Sequence, residues 1–410
     1  LNIQPDNAAQ DDGPRIKDPS GGSNQTRVRA HNERLVMSLV RRHGSLAKAE
    51  IARRTGLSPQ TVSVIMRALE KDSLLIRGDP VRGRVGQPSI PMALNPDAVF
   101  SVGLKIGRRS ADLVLMDFVG GVRRQLRETF AYPLPQQIMQ FADDGLKLFR
   151  SELDEAARSR ITGIGVASPF ELWNWLDQVG APSEEMDAWR GFDFTEAFAR
   201  ITDLPVIVQN DATAACGAEL VFGRGREFAD FAYFFVGSFI GGGLVLNHSV
   251  FTGRTGNAGA FGPIPVPGPD GNPRQLLNQA SIFVLENRLK EAGLDPSPLW
   301  LNPDNWPDFG DLLSEWIVET ARNIAIASLA IAAIIDTEAV LIDGGFPRNV
   351  RRRLVNAVKS EFEKLDRQGI EEPRIVEAEV GAEARGIGGA SLPIFSRFMI
   401  DQNVLIKEPV

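Results

Sequence analysis

Residues 56–71 read GLSPQTVSVIMRALEK. Gly56 tolerates a positive φ and so suits a sharp turn. Ser58 followed by Pro59 is a helix start: a side-chain oxygen for the first free N–H groups, then a residue whose fixed φ suits the first helical position. The helix begun there carries Val62, Ile65, Met66 and Leu69 on one face, and Gln60, Thr61, Ser63 and Arg67 on the other. Upstream, Leu35, Val36, Leu39 and Val40 repeat at helical spacing before Gly44, and a short helix over 47–54 turns Ile51 and Ala52 inward. Downstream, a strand at 74–76, a loop rich in Gly and Arg at 77–87 and a returning strand at 89–94 form a hairpin. Helix, short helix, tight turn, helix and hairpin is the order of a winged helix-turn-helix.

The second helix of such a motif fits the major groove of duplex DNA. Gln60, Thr61 and Ser63 are candidates for base edges, with Ser58 beside them at the helix start, and Arg53 and Arg67 are candidates for phosphates. Arg82 and Arg84 in the loop can enter the adjacent minor groove, where the negative potential is enhanced. The charge agrees. Thirteen basic residues stand against five acidic ones between Arg27 and Ile90, a net +8, so the rest of the chain carries −15 of the total −7. A basic block on an acidic body is the electrostatic footprint of a nucleic-acid-binding module. The alternative is a small helical bundle with a solvated basic face.

The whole chain has 410 residues, 43% hydrophobic and 24% charged, enough apolar material for a sizeable core. The single cysteine, Cys216, excludes an intrachain disulfide framework and a Cys-rich zinc module. Three histidines argue against a His-cluster metal site, and no cofactor is expected. The longest apolar run, 324–335, is shorter than the roughly 20 residues that span a bilayer, and no basic segment followed by an apolar stretch opens the sequence. A cytoplasmic protein with no membrane partner is the expectation. Residues 1–26 read as a polar, disordered leader, 27–95 as the DNA-binding domain and 96–410 as a second unit.

That second unit opens with three expected strands, 99–106, 111–118 and 122–132, in a meander. A helix over 135–157 and a strand over 161–167 follow, then an irregular stretch holding Phe170, Trp173, Trp175, Trp189 and Phe192. This aromatic cluster is either a sugar-stacking surface or a lid packed on its own lobe. A strand at 205–208 runs into Asn210-Asp211 and a helix over 212–222. Strands then recur at 231–236 and 243–246. Residues 263–273 hold five prolines and read as extended loop, and helices follow near 276–292 and 311–335. A strand at 339–343, a helix to about 365, a strand at 374–380 and a last helix from about 385 close the chain. Meander, then βα units, then the same theme again implies two similar α/β lobes with a cleft between them.

These motifs in this order, a winged helix-turn-helix, Asn210-Asp211-Ala-Thr-Ala-Ala, Gly241-Gly242-Gly243, Gly253-Arg-Thr-Gly-Asn-Ala-Gly259 and Asp343-Gly344-Gly345, resemble the ROK family of repressors and sugar kinases. The resemblance runs from about Arg27 to the C-terminus and is to its sugar-responsive repressor branch. It implies an actin-like, ribonuclease H-like two-lobed fold of the ATPase type, a dimer or tetramer, and an operator in duplex DNA. It implies a sugar-like effector in the cleft, near Ser168, Asn210, Asp211, Gly242 and Asn257. Asp211 matches the catalytic base of the family's kinases.

Several motifs depart from the family. Kinases hold ATP phosphates with Asp-x-Gly-Gly-Thr, and the matching place here reads Leu104-Lys-Ile-Gly-Arg-Arg-Ser110. The Asp that organises Mg²⁺ and the Gly pair that admits phosphate are gone, which removes the positioning on which phosphoryl transfer depends. The family's Gly-Glu-x-Gly-His reads Gly259-Ala-Phe-Gly-Pro263, and its Cys-rich zinc loop reads Pro273 to Ser281 without a cysteine. The expected function is a DNA-binding regulator of carbohydrate genes with an inactive kinase-like body. The alternatives are a sugar kinase with a fused DNA-binding module, or a regulator whose body only oligomerises.

Overall fold

The computed structural model describes residues 25–80, 90–170, 172 and 183–400. Helix α1 (Gln25–His43) begins two residues inside the expected leader, and α2 (Lys48–Thr55) ends on Gly56 at φ 71°. Ser58 Oγ accepts the Thr61 N–H at 3.1 Å and starts α3 (Pro59–Lys71) at the expected residue. Val62, Ile65, Met66 and Leu69 are the buried face of α3. Behind the helices lies a three-stranded sheet: β1 (Ser45–Leu46) pairs with β3 (Met92–Leu94), which pairs with β2 (Leu75–Arg77). The strand β1 is too short to show a period in the sequence. The wing residues Arg82 and Arg84, and Trp173 and Trp175, lie outside the described residues.

The first lobe is a five-stranded sheet, β6-β5-β4-β7-β8, built from β4 (Phe100–Ile106), β5 (Ser110–Asp117), β6 (Val122–Thr129), β7 (Ile161–Ser168) and β8 (Val206–Asn210). Three antiparallel strands are followed by two parallel ones. Helix α4 (Pro135–Glu152) lays Ile138, Ala142, Leu146 and Phe149 on this sheet. It stops five residues short of the expected end. Leu153 is extended, and Asp154 accepts the Ala157 N–H at 2.7 Å to start a separate turn, Glu155–Arg158.

The second lobe repeats the plan in the order β11-β10-β9-β14-β15. Its strands are β9 (Phe231–Val236), β10 (Ile240–Leu246), β11 (Ser249–Phe251), β14 (Ala339–Gly344) and β15 (Arg374–Glu377). The proline-rich stretch is not plain loop: β12 (Pro265–Pro267) pairs with β13 (Pro273–Gln275). Pro265 and Pro267 alternate with ladder residues, so Leu276 N–H can donate to Ile264 O and Gly268 N–H to Asn272 O, both at 2.8 Å. The helix expected over 276–292 is broken at Ser281, which is extended and whose Oγ takes the Ile240 N–H at 2.8 Å.

The body also holds the longer helices α5 (Asp211–Phe222), α6 (Ile282–Glu291), α7 (Gly310–Ile335) and α8 (Arg348–Phe362). By length and composition α7 could cross a membrane. Here Leu313, Trp316, Ile317, Ile324 and Ile331 bury it in the second-lobe core.

Helix α5 and the last helix, α9 (Ala384–Phe398), are exchanged between the lobes. Helix α5 follows the last strand of the first lobe but packs on β10 of the second, where a Cβ on Gly243 would lie 2.4 Å from Cys216 Cβ. Helix α9 follows the last strand of the second lobe but packs on the first-lobe sheet, against Gly103 and Gly165. The two helices meet in backbone contact: a Cβ on Gly388 would sit 2.1 Å from Ala214 O. The DNA-binding unit is welded to this arrangement. One apolar cluster contains Val36, Met37 and Val40 of α1, Val114 and Met116 of β5 with Phe118 just after it, and Ala390 and Ile394 of α9.

Candidate functional site

On the DNA-binding unit, Gln60, Arg67 and Lys71 are exposed along α3, and Thr61 and Ser63 half-buried. Ser58 is also exposed, but its oxygen is engaged with Thr61. Arg67 Nε donates to Ser63 O at 3.1 Å, which lays the guanidinium along the helix. Arg53 is held by Glu50 at 2.6 Å, and Arg54 shares the same carboxylate at 2.5 Å. A residue passed over in the sequence stands among them: Val64 is 48% exposed, between Gln60 and Arg67 on the outward face. An apolar side chain there suits contact with a thymine methyl.

Of the cleft candidates, Ser168, Asn210 and Asp211 gather at the start of α5. Ser168 and Asn210 are register partners at the ends of β7 and β8. Asn210 Oδ1 accepts the Ala212 and Thr213 N–H groups, both at 3.1 Å, and so caps α5. Asp211 Oδ1 takes the Ala212 N–H at 2.9 Å, and its Oδ2 takes Arg385 Nη1 at 3.1 Å. The Arg385 guanidinium lies over the Phe235 ring at 4.7 Å. Gly242 has a packing reason, since a Cβ there would be 2.3 Å from the Phe261 ring. Its neighbour Gly241 lets β10 approach Ala212. Asn257 is half-buried in the turn that Gly259 presses onto Gly243. Of the aromatic cluster, Trp189 and Phe192 pack with Phe194 in the first lobe, with Trp189 Nε1 donating to Pro133 O at 3.0 Å. Phe170 alone of the described members is open, at 58% exposure.

The other half of the cleft holds charge in place of a phosphate turn. Lys105 stands where the kinase motif begins with Asp, and its ammonium is buried against Asp112 at 2.9 Å and Ser110 Oγ at 3.1 Å. Burial lowers the Lys105 pKa against the pull of Asp112. Burial pushes the Asp112 carboxyl up, but Lys105 and Arg127 outweigh it and hold it below its ordinary range. Arg108, at a glycine position of the motif, crosses to the second lobe and meets Glu286 of α6 at 2.7 Å, both side chains 4% exposed. Arg109 reaches the same carboxylate at 3.5 Å, and its guanidinium lies over Trp300 at 5.4 Å. Lys105 and the two arginines are visible in the sequence. Glu286, 178 residues from Arg108, and Arg385, 174 residues from Asp211, carry no local signal. Among the described residues no group of three or more His, Cys, Asp or Glu is placed to hold a metal ion.

A model of the winged helix-turn-helix DNA-binding family matches residues 29–76, and a model of the ROK family matches 101–279. The chain carries a ROK domain behind a winged helix-turn-helix. It is 23% identical to the xylose repressor of Bacillus subtilis over 244 residues, 60% of this chain and 62% of that protein. The crystal structure of a ROK family transcriptional regulator, a homologue of the Escherichia coli MLC protein, superposes with a TM-score of 0.64. It is 19% identical and covers 90% of this chain and 97% of that one. A ROK family glucokinase from Streptomyces griseus, solved with glucose and AMPPNP, gives 0.55 at 20% identity, covering 72% of this chain and 98% of that one. The kinase thus shares the body of the fold, and the regulator shares nearly the whole chain. At these identities both likenesses establish the fold, which is the actin-like arrangement expected from the sequence.

Proposed function

We propose that this protein is a cytoplasmic transcriptional regulator, a repressor of carbohydrate-metabolism genes, whose ROK domain binds a sugar or sugar derivative in the cleft and transfers no phosphoryl group. The observation that carries the inactive body is Lys105. A buried ammonium tied to Asp112 occupies the start of the phosphate turn, and Arg108 closes the same side of the cleft onto Glu286. Asp211, which matches the kinases' base, is paired with Arg385 at 3.1 Å. The α3 face from Gln60 to Lys71 supplies the DNA contact, and two copies would place two such helices on half-sites one helical turn apart. The division falls between residues 95 and 96.

One observation favours a body that only oligomerises: Asn210 and Asp211 both have their oxygens engaged inside the protein. Thermal melts with a panel of sugars, polyols and their phosphates separate the two readings. A bound effector at about 100 times its Kd adds about 2.7 kcal/mol. The regulator reading expects one such shift, abolished in Asp211→Ala, with no sugar phosphate formed from ATP. Turnover above background that is lost in Asp211→Asn would make the protein a kinase instead.

A further inference from the structure

Arg41 lies on α1, far in sequence from the cleft, and its surroundings are unusual for a surface helix. Its guanidinium lies over the Phe222 and Phe395 rings, 5.0 Å from each centroid. Nη1 donates to Phe118 O at 2.8 Å, while Nε and Nη2 are buried without a hydrogen-bond partner. Desolvation brings the group down to about 10 despite the pull of Asp117. A buried charge with one of its three nitrogens bonded depends on the exact placement of its two rings.

Those rings belong to the two exchanged helices. Phe222 is the last residue of α5, and Phe395 lies in the last turn of α9. The opposite ends of the same helices hold Asp211 and Arg385, the ion pair at the cleft. The distance spanned is about 17 Å along α5, from Asp211 to Phe222, and about 15 Å along α9, from Arg385 to Phe395, at 1.5 Å per residue. The backbone contact at Gly388 leaves no room for one helix to slide independently of the other. A second link sits nearby: Ser38 Oγ on α1 accepts the Ile400 N–H at 2.9 Å, just beyond the end of α9.

We infer that Arg41 is a positioning residue for the DNA-binding unit, and that it carries the state of the Asp211–Arg385 pair from the cleft to α1. Opening or moving that pair displaces α5 and α9 together. The displacement arrives at a clamp that is only partly satisfied and so readily exchanged for another arrangement. The inference rests on the cleft as the effector's place, but its test uses no effector.

The test is a double-mutant cycle on the full-length chain, with Kd measured on a duplex selected by the wild-type protein from a random pool. Arg385→Ala should change Kd at least fivefold when Arg41 is present, and less than twofold in the Arg41→Met background. Arg41→Lys, which keeps the charge but not the planar stack, should behave as Arg41→Met. Equal factors in both backgrounds, or no effect of Arg385→Ala, overturn the inference. If Arg41→Met does not fold, Phe222→Leu with Phe395→Leu replaces it. If no duplex is selected, the regulator reading fails. Hydrogen exchange of the α1 amides then decides the coupling: Arg385→Ala should speed it only when Arg41 is present, and equal exchange in both backgrounds refutes it.

Discussion

Lys105 sets a buried ion pair at the place where the kinase motif begins. The side chain brings an ammonium to a place where the kinase motif has an acid, and Asp112 and Arg127 complete a chain of charges around it. Removing one member of a buried pair costs more than removing both, because the survivor stays desolvated. Lys105→Met should therefore lower stability by about 2–4 kcal/mol, and Lys105→Met with Asp112→Leu should recover at least half of the loss. Urea unfolding of the two variants measures this, and a double variant no better than the single would show that the pair is not the source. The sequence displays Lys105 but not its partner, because Asp112 becomes a neighbour only through the hairpin register Lys105↔Asp112. The place of Asp211 at the start of a helix was legible from its motif. Its pairing with Arg385 was not, because that depends on the exchange of two helices between lobes.

At the scale of elements, α3 and α5 make separate demands. Arg67 is exposed on α3 and lies along the helix with Gln60 and Lys71. Arg67→Ala should weaken binding to all duplexes alike and reduce the slope of log Kd against log salt by about one. A loss confined to one base position would make Arg67 a base reader. Helix α5 is held at its other end by Glu219, which accepts the Arg224, Glu379 and Val380 N–H groups at 2.8–3.1 Å and ties α5 to the loop leading into α9.

Burial, with Asp343 nearby, raises the Glu219 carboxyl to about 7 against these bonds. Between its unfolded value near 4.5 and about 7 the folded state holds a proton the unfolded state has lost. Stability should then fall as pH rises through that window, by about 1–3 kcal/mol, and level off above it. Glu219→Gln should remove most of the fall in urea unfolding between pH 5 and 8, and an unchanged slope would move its origin elsewhere. Elements of this kind were readable where period and caps agree, as at Ser58-Pro59 and in β4 and β5. They are hidden where an isolated residue breaks a run, as at Leu153 and Ser281, or where alternating prolines conceal a ladder, as at Pro265 and Pro267.

Over the whole molecule, two lobes of the same topology are bridged on one side of the cleft by Arg108, Arg109 and Glu286 and share the α5–α9 pair. The DNA-binding unit shares its core with β5 and α9, so it is not a module hung on a free linker. That construction suits a body whose internal state is read by its DNA-binding unit, and the body needs no chemistry of its own for this. Sequence-specific binding is the central property of such a regulator. Selection of the full-length protein against a random duplex pool, followed by Kd measurement at about 150 mM salt, tests it most directly. One motif should be enriched and bound at least about 10³-fold tighter than an unrelated duplex. Equal affinity for enriched and unrelated duplexes, or no enrichment, would contradict it.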